Sequence, residues 1–349
     1  HAHAAAQAAP AAPAAAVAEV AGTAVAEPAA PHGLVDLPET VTAEEGRRLA
    51  ALLAGAGGED QLALRGARVL GRRVVRAPLP GAPAAEWSTD GTVLITGGTG
   101  ALGGDVARWL AGRGVPHLLL TSRRGPAAPG ADELVAELTA LGTRVTVAAC
   151  DVTDREALSG LLAGIPAEHP LSGVVHTAGV GAPGPLMETD AEAVAEVIGG
   201  KAAGAALLDE LAGDVDLFVV FSSIAATWGS GGQGAYAAGN AFLDALVEAR
   251  RARGLAGTSV AWGPWAEAGM AADAGFEDYL RRRGLSALDR TAAIRALAGV
   301  VDRDEGCVAV ADVDWERFGP AFVSGRPSPL LSGLADLADA AGDTGSSAP

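Results

Sequence analysis

The stretch TVLITGGTGALG, residues 92–103, decides the fold. A short apolar run leads directly into Gly98, Gly100 and Gly103, which have the spacing GxGxxG. Between a strand and a helix, such glycines let the backbone approach a pyrophosphate, whose charge is met by the helix N-terminus. In a chain with 48 glycines the pattern alone also fits a structural turn. Its strand-turn-helix context favours a dinucleotide site.

Outward from this stretch, short apolar runs alternate with helical patterns. The predicted strands are VLIT, HLLLTS, RVTVAAC, GVVHTAG, Leu217–Ser222 and Gly257–Trp262. The predicted helices begin at Gly103, lie near 131–141 and 154–163, and span Ala235–Arg253. Strands joined by crossover helices run parallel and are covered on both faces. We therefore expect an α/β fold with a Rossmann-like, doubly wound parallel sheet.

Composition divides the chain into four parts. Residues 1–31, dominated by Ala, Pro and Val, are predicted to be a linker or weakly ordered segment. Residues 32–85 contain one helical pattern and two short strands, and are predicted to be part of a non-catalytic structural subdomain. Residues 88–325 are the predicted cofactor-binding domain. Residues 326–349 are predicted to be a linker toward another domain.

Charge and cysteine content narrow the functional class. A formal net charge of -17 argues against nucleic acid, because binding a phosphate backbone needs a clustered cationic face. Apolar stretches are shorter than the roughly 20 residues that cross a bilayer, and no signal segment is recognisable. Cys150 and Cys307 lie outside any Cys/His cluster, so no metal site is expected. We expect a cytoplasmic protein without a membrane partner.

One basic residue is unusual. Of 25 basic residues, Lys201 is the single lysine. Codon bias explains why lysine is scarce, but not why this position keeps one. Because arginine cannot replace a compact ammonium, Lys201 is a candidate functional residue.

Basic residues stand where an NAD site carries an acid. The second predicted strand ends in Ser122-Arg123-Arg124, whereas NAD sites place Asp or Glu there to accept from the ribose hydroxyls. Guanidinium groups bind a 2′-phosphate that a carboxylate repels, so we expect NADPH; the alternative is that both arginines decorate a surface turn. Asp151 follows the third strand, where it is positioned to touch the adenine. His176 ends the fourth strand and is as consistent with a structural role as with a functional one.

A carbonyl-reducing set follows the next strand. Ser223 closes that strand at its carboxyl end, and Tyr236 begins the long helix with Asn240 on the same face. The serine hydroxyl can hold a ketone oxygen and the phenol can donate a proton as hydride arrives, while a nearby ammonium lowers the phenol pKa. Singly, Ser223 or Asn240 equally fits a helix cap or a strand-end hydrogen bond.

Seven segments together resemble a known family: TGGTGALG, LTSRRG, CDVTD, VVHTAG, KAAGAALLDEL, FSSIAATWGSGGQGAYAAGNAFLDAL and VAWGPW. They are similar to ketoreductase domains of modular type I polyketide synthases, a branch of the short-chain dehydrogenase/reductases, over Thr92 to Leu330. Most of that superfamily has Tyr-x-x-x-Lys, whereas in this branch lysine comes from the preceding helix and Asn occupies the Tyr+4 position. Lys201 and Asn240 match this exchange.

The resemblance implies roles for individual residues. It implies catalytic Lys201, Ser223, Tyr236 and Asn240, and an acyl carrier protein with neighbouring synthase domains as partners. It implies that Lys201 also holds the nicotinamide ribose and that the segment from Trp265 to Leu280 is a substrate lid. The expected NADPH-binding residues are Thr96, Gly97, Gly98, Thr99, Gly100, Leu102, Ser122, Arg123, Arg124, Asp151, Val152, His176, Ala178, Gly179, Lys201 and Pro264.

Stereochemistry is also implied by the resemblance. Family members called A-type have a tryptophan eight residues before the tyrosine, as Trp228 is here, and lack the Leu-Asp-Asp motif of the other class. Gln233 stands where a histidine accompanies an epimerised α-substituent. We expect an A1-like enzyme giving an L-β-hydroxyl, with Trp265 and Met270 as further substrate residues. Simple packing is the alternative role of Trp228.

Two other functions remain open. The chain could be a redox-silent scaffold domain of a synthase, which the intact Ser223, Tyr236 and Lys201 argue against. A free-standing short-chain dehydrogenase would have Tyr-x-x-x-Lys and no Pro/Ala-rich extensions. This sequence has Tyr-x-x-x-Asn and carries such extensions at both ends.

Overall fold

The computed structural model describes residues 33–54, 58–77, 85–179, 188–266, 274–324 and 328–334. The strands, numbered along the chain, are β1 (Leu34–Asp36), β2 (Gln61–Arg65), β3 (Arg68–Gly71), β4 (Thr92–Thr96), β5 (His117–Ser122), β6 (Arg144–Ala149), β7 (Leu171–His176), β8 (Leu217–Ser223), β9 (Thr258–Trp262), β10 (Leu285–Ser286), β11 (Cys307–Val310) and β12 (Asp312–Val313). The α-helices are α1 (Ala43–Leu53), α2 (Ala101–Gly112), α3 (Ala131–Ala140), α4 (Arg155–Ala163), α5 (Ala191–Ile198), α6 (Gly204–Ala212), α7 (Ile224–Trp228), α8 (Gly234–Ala252), α9 (Ala274–Arg282), α10 (Arg290–Asp302) and α11 (Trp315–Val323).

A seven-stranded parallel sheet organises the larger part of the molecule. Its order is β11-β9-β8-β7-β4-β5-β6, and every pair of neighbours is parallel. The chain reverses its direction of winding at β4, which lies between β5 and β7. In such sheets ligands bind in the crevice beyond the carboxyl ends of the strands at this switch point.

The central strands β4, β8 and β9 are buried on both faces, to which their side chains point alternately. Val93 and Ile95 of β4 belong to a core cluster that contains residues of α2 and α10. Leu94, between them, belongs to the cluster on the other face, with residues of α6 and α8. The continuous apolar runs of the sequence therefore correspond to central strands, as the predicted doubly wound fold requires.

A separate three-stranded sheet lies within the small N-terminal part. Its order is β1-β2-β3, with β1 parallel to β2 and β3 antiparallel to it. Helix α1 begins with a capping box in which the Thr42 hydroxyl and the Glu45 carboxylate bond each other's backbone N–H. The sequence predicted the helix and two of the strands; β1 is additional.

The C-terminal boundary differs from the predicted one. Leu330, Leu331 and Leu334 are buried, although the linker was expected from residue 326. The Val74 N–H donates to the Leu330 carbonyl at 2.8 Å, which connects this segment to the chain after β3. Burial of three leucines outweighs the Pro, Gly and Ser content, so the folded part extends to at least Leu334. The predicted linker at 1–31 lies outside the described residues.

Candidate active site

The turn between β4 and α2 is shaped by its glycines. Gly97 has φ of +69°, a backbone conformation that favours glycine. A Cβ on Gly103 would collide with the Gly97 carbonyl, so helix and turn approach closely only because Gly103 has no side chain. Gly100 caps α2 without a side-chain hydrogen bond, and the first turn has no acidic residue. The N-terminus of α2 therefore fits an anionic group. The helix begins at Ala101, two residues before the predicted start.

Side chains beside the turn fit the adenosine end of a dinucleotide. The Thr99 hydroxyl donates to the Ser122 hydroxyl at 2.8 Å, joining the turn to the end of β5. Arg123 and Arg124 follow and are both exposed. Hydrogen bonds from the Thr153 backbone and hydroxyl lower the pKa of Asp151, with a smaller contribution from Arg123. Two accessible guanidinium groups at this strand end are a donor set suited to a phosphate.

Two residues predicted to bind cofactor, His176 and Val152, are buried beside Gly204, the first residue of α6. His176 is fully buried and bonds the Thr96 hydroxyl through Nδ1 at 2.7 Å. Val152 is buried, and a Cβ on Gly204 would lie 2.7 Å from its Cγ2. Both side chains therefore fill the space beneath α6, which favours the structural role left open for His176. Their direct contact with a cofactor stays a prediction.

The remaining predicted residues line the strand ends around the turn. Thr177, between His176 and Ala178, donates from its hydroxyl to the Thr96 carbonyl at 2.7 Å. A Cβ on Gly97 would lie 3.1 Å from the backbone of Ala178. Pro264 follows β9, and its carbonyl accepts from the Leu288 N–H at 2.7 Å. Leu102 lies in the first turn of α2, close to Gly98 and Gly100 in sequence.

Lys201 lies in a π-helical turn, Gly199–Ala203, between α5 and α6. Such turns insert an extra residue into a helix and frequently occur at functional sites. The ammonium is buried and donates to the Phe221 carbonyl of β8 at 2.9 Å. A Cβ on Gly179 would lie 2.7 Å from the Lys201 Cε, so the lysine side chain passes directly against the backbone of Gly179, three residues after β7. Burial lowers the pKa of Lys201 to about 8.

Tyr236 meets the lysine from the opposite helix. The Lys201 Nζ lies 5.3 Å from the centre of the Tyr236 ring. Burial raises the pKa of the phenol, and hydrogen bonding with Ser223 and Asn240 opposes that shift. Ser223 ends β8 and also caps α7 by accepting from the Ala225 N–H at 3.2 Å. The structure thus brings the serine, phenol and lysine together at the carboxyl edge of the sheet.

Asn240 is fully buried one turn after Tyr236. Its Nδ2 donates to the Tyr236 carbonyl at 2.7 Å, while its backbone carbonyl accepts from the Ser222 hydroxyl at 3.2 Å. The amide oxygen has no partner among the described residues. Asn240 therefore fixes the start of α8 against β8.

The sequence analysis missed Asp244, one further turn along α8. Its carboxylate accepts from the Ser259 hydroxyl at 2.6 Å and raises the pKa of Lys201. Burial in turn raises the pKa of Asp244 itself. The available signal was its spacing, since positions 236, 240 and 244 share one face of a helix.

A family model described as the KR domain matches residues 91–267, which include this whole arrangement. The chain belongs to the ketoreductase domain family. Its parallel sheet is the Rossmann-like fold of the short-chain dehydrogenase/reductases, as the sequence predicted.

Similar proteins give the same assignment. The ketoreductase domain is 53% identical over 321 residues to the pikromycin polyketide synthase component PikAIII of Streptomyces venezuelae, covering 91% of this chain and 20% of that protein. It is 52% identical over 303 residues to the erythronolide synthase EryA3 of Saccharopolyspora erythraea, covering 86% and 9% respectively. A solved structure of an A1-type ketoreductase matches with a TM-score of 0.85 and 50% identity, covering 88% of this chain and 66% of that one. The chain thus spans a fifth or less of these two synthases.

The residues predicted to control stereochemistry have different surroundings. Trp228 ends α7 and packs against two aromatic rings of α11. Gln233 caps α8, and its backbone carbonyl accepts from the Ala237 N–H at 2.8 Å. Trp265 is 3% exposed and packs on Phe221 and Trp262, so the structure gives it a core position; its contact with substrate stays a prediction. Met270 lies outside the described residues.

Within the described ranges of the ketoreductase domain, no group of three or more His, Cys, Asp and Glu residues could hold a metal ion. Within the same ranges, no helix is both long and apolar enough to span a bilayer.

Proposed function

We propose that the chain reduces a β-ketoacyl thioester, carried on an acyl carrier protein, to an L-β-hydroxyacyl thioester with NADPH. The observation that carries this proposal is the meeting of Ser223, Tyr236 and Lys201 beside the glycine turn at one edge of the sheet. These three groups can bind, polarise and protonate a ketone oxygen. Membership of the ketoreductase family supports the same reaction.

The glycine turn, the α2 N-terminus, Arg123 and Arg124 would hold NADPH, with Lys201 on its nicotinamide ribose. When bound, NADPH supplies the hydride that reaches the ketone carbon. The Ser223 hydroxyl donates a hydrogen bond to the ketone oxygen and orients it toward the Tyr236 phenol. Tyr236 transfers its proton to that oxygen as negative charge develops there. Lys201 stabilises the resulting phenolate through its positive charge.

Trp228 carries the stereochemical part of the proposal. The configuration of the product would depend on which face of the ketone the enzyme presents to the bound cofactor. An indole beside the entrance blocks one direction of approach by the thioester arm. Similarity to A1-type ketoreductase supports an L-configured alcohol, and Gln233 supports an unepimerised α-substituent.

We also propose that the catalytic domain occupies residues 88–325, with its C-terminal packing completed by 328–334. Residues 32–85 would belong to a non-catalytic subdomain. The two relatives are named as synthases, and the chain spans a small share of each, which supports neighbouring synthase domains and an acyl carrier protein as partners.

The test is incubation with NADPH and a racemic 2-methyl-3-oxo thioester, followed by chiral chromatography. We expect NADPH consumption and an L-alcohol with the methyl group not epimerised. Absence of reduction would support the redox-silent scaffold instead. A mainly D-configured alcohol would refute the role of Trp228, and an L-alcohol with an inverted methyl would refute only the interpretation of Gln233.

A further inference from the structure

Three aromatic residues, Trp228, Trp315 and Phe318, form what we call the aromatic clamp. The Trp228 ring centre lies 6.0 Å from that of Trp315 in an edge-on arrangement and 5.4 Å from that of Phe318. Trp315 and Phe318 also contact each other, with centres 5.9 Å apart. Each ring therefore touches both of the others, which restricts all three side chains.

Helix α7 alone fixes the Trp228 side chain poorly. It is a short helix that begins immediately after Ser223 and ends at Trp228. The next residue, Gly229, has φ of +89° and breaks the helix. Trp228 is therefore the last residue before a turn, and its indole is only partly buried. The rings of α11 supply the contacts that hold its orientation.

Helix α11 also holds the part of the predicted lid that the structure describes. At Gly284, just after α9, φ is +84° and a Cβ would lie 2.7 Å from the Asp314 carbonyl and 2.9 Å from the Phe318 nitrogen. The Asp314 N–H donates to the Gly284 carbonyl at 2.8 Å. Leu280 of α9 packs against the same buried cluster as Phe318. The first turn of α11 thus contacts both Trp228 and the turn at Gly284 that follows α9.

We propose that Trp315 and Phe318 are specificity-determining positioning residues that set the facial selectivity of reduction by holding the Trp228 indole. This inference rests on the proposed function, in which Trp228 directs entry of the thioester. Neither residue belongs to the set of Ser223, Tyr236 and Lys201 that is proposed to carry the reaction. They act by allowing the indole one orientation, so that the thioester arm meets the same obstacle at each turnover.

The experiment compares Phe318→Leu and Trp315→Leu with Phe322→Leu. Phe322 is a matched control because it lies on α11 and stacks on Phe318 at 5.9 Å, but makes no ring contact with either tryptophan among the described residues. With NADPH and a racemic 2-methyl-3-oxo thioester, we expect either clamp variant to lower the ratio of L- to D-alcohol by about tenfold, the scale of losing one aromatic pair. Phe322→Leu should leave the ratio within about twofold.

The same substitutions in a Trp228→Ala background show whether the effect passes through the indole. We expect no additional change in the ratio there, because the residue being positioned is gone. An equal loss of selectivity in Phe322→Leu, or an undiminished effect of Phe318→Leu in the Trp228→Ala background, would overturn the proposal. Trp315 is only partly buried, so its variant provides the result if Phe318→Leu fails to fold.

The two proposals fail in different ways. If Trp228→Ala leaves the product ratio unchanged, the role of Trp228 in the proposed function is wrong, and the clamp cannot act through it. If Trp228→Ala alters the ratio while both clamp variants preserve it, the proposed function stands and the clamp is refuted.

Discussion

The ammonium of Lys201 lies 5.3 Å from the centre of the Tyr236 ring while it donates a hydrogen bond to the Phe221 carbonyl. The hydrogen bond therefore ties the lysine to β8, the same strand that ends in Ser223. One strand thus positions both Ser223 and the positive charge beside Tyr236.

Replacing Tyr236 by Phe removes the proton donor but keeps the ring beneath Lys201. We expect kcat to fall by about 10² or more, with NADPH affinity and thermal stability nearly unchanged. The assays are NADPH consumption, fluorescence titration of NADPH and thermal unfolding. Tyr279→Phe is the matched control, since it removes the other phenol of the chain from α9. Retained turnover in Tyr236→Phe would contradict the assignment.

The pH dependence of reduction should report the charge of Lys201. Because burial lowers the pKa of Lys201 to about 8, the ammonium is present below that pH and is lost as the pH rises through it. We expect kcat/KM to decline above about pH 8. Asp244 raises this pKa, so Asp244→Asn should move the alkaline limb to lower pH. Glu248→Gln, one turn further along α8, is the control, and an unmoved limb in Asp244→Asn would contradict this electrostatic role.

Arg123 and Arg124 should determine cofactor choice. Replacing both by Ala removes the guanidinium groups expected at the 2′-phosphate, which NADH lacks. We expect KM for NADPH to rise by about tenfold or more, while KM for NADH changes little. Steady-state kinetics with each cofactor measure this, with Arg155→Ala as an exposed control. Equal losses with both cofactors would show that the arginines do not read the phosphate.

Two glycines of α2 offer a paired test of the cofactor turn. A Cβ at Gly103 meets the Gly97 carbonyl, whereas one at Gly112 has nothing within 4 Å. We expect Gly103→Ala to lower the free energy of unfolding by about 1–3 kcal/mol and to weaken NADPH binding, because turn and helix must separate. Gly112→Ala should be neutral, or stabilising by up to about 1 kcal/mol. Denaturant unfolding and calorimetric titration compare them, and equal effects would contradict the close-approach argument.

His176 should contribute to acid unfolding. Burial lowers its pKa from 6.5 to about 3, so below pH 6.5 the unfolded chain binds a proton that the folded chain does not. Stability contributed by the neutral imidazole is therefore lost as the pH falls, by up to about 1.4 kcal/mol per pH unit. His176→Gln should reduce the slope of unfolding free energy against pH between 6 and 4, measured by denaturant titration. Identical slopes in both proteins would contradict this prediction.

The sheet strands from β4 to β9 were predictable because the apolar runs and the residues that end them indicate the same strand boundaries. Each apolar run ends near glycine or a helix-capping residue, and crossover helices leave little choice of topology. Helix α10 and strand β11 were not predicted. Cys307–Val310 pairs with β9 through its backbone, but its side chains alternate between exposed and partly buried, so the edge strand has a weak apolar signal.

The candidate site residues were predictable for a different reason, since the resemblance to a known family and the single lysine singled out Ser223, Tyr236 and Lys201 without knowledge of their contacts. Asp244 was not predicted as a site residue because a carboxylate on an amphipathic helix usually faces solvent. Trp265 was predicted from its position directly after a site strand, and the structure shows its ring packed on Trp262 in the core. Sequence position near a site does not determine which way a side chain points.

The hydrogen bond from Val74 to the Leu330 carbonyl joins two segments that are made at very different times during synthesis. Leu330, Leu331 and Leu334 leave the ribosome after every residue proposed for catalysis, and they complete the buried cluster that contains Phe318. The buried cluster that packs against Trp228 is therefore complete only after these leucines have been synthesised. For exchanging this domain between proteins, the junction belongs beyond Leu334. A junction at residue 326 would combine one parent's indole with the other parent's support.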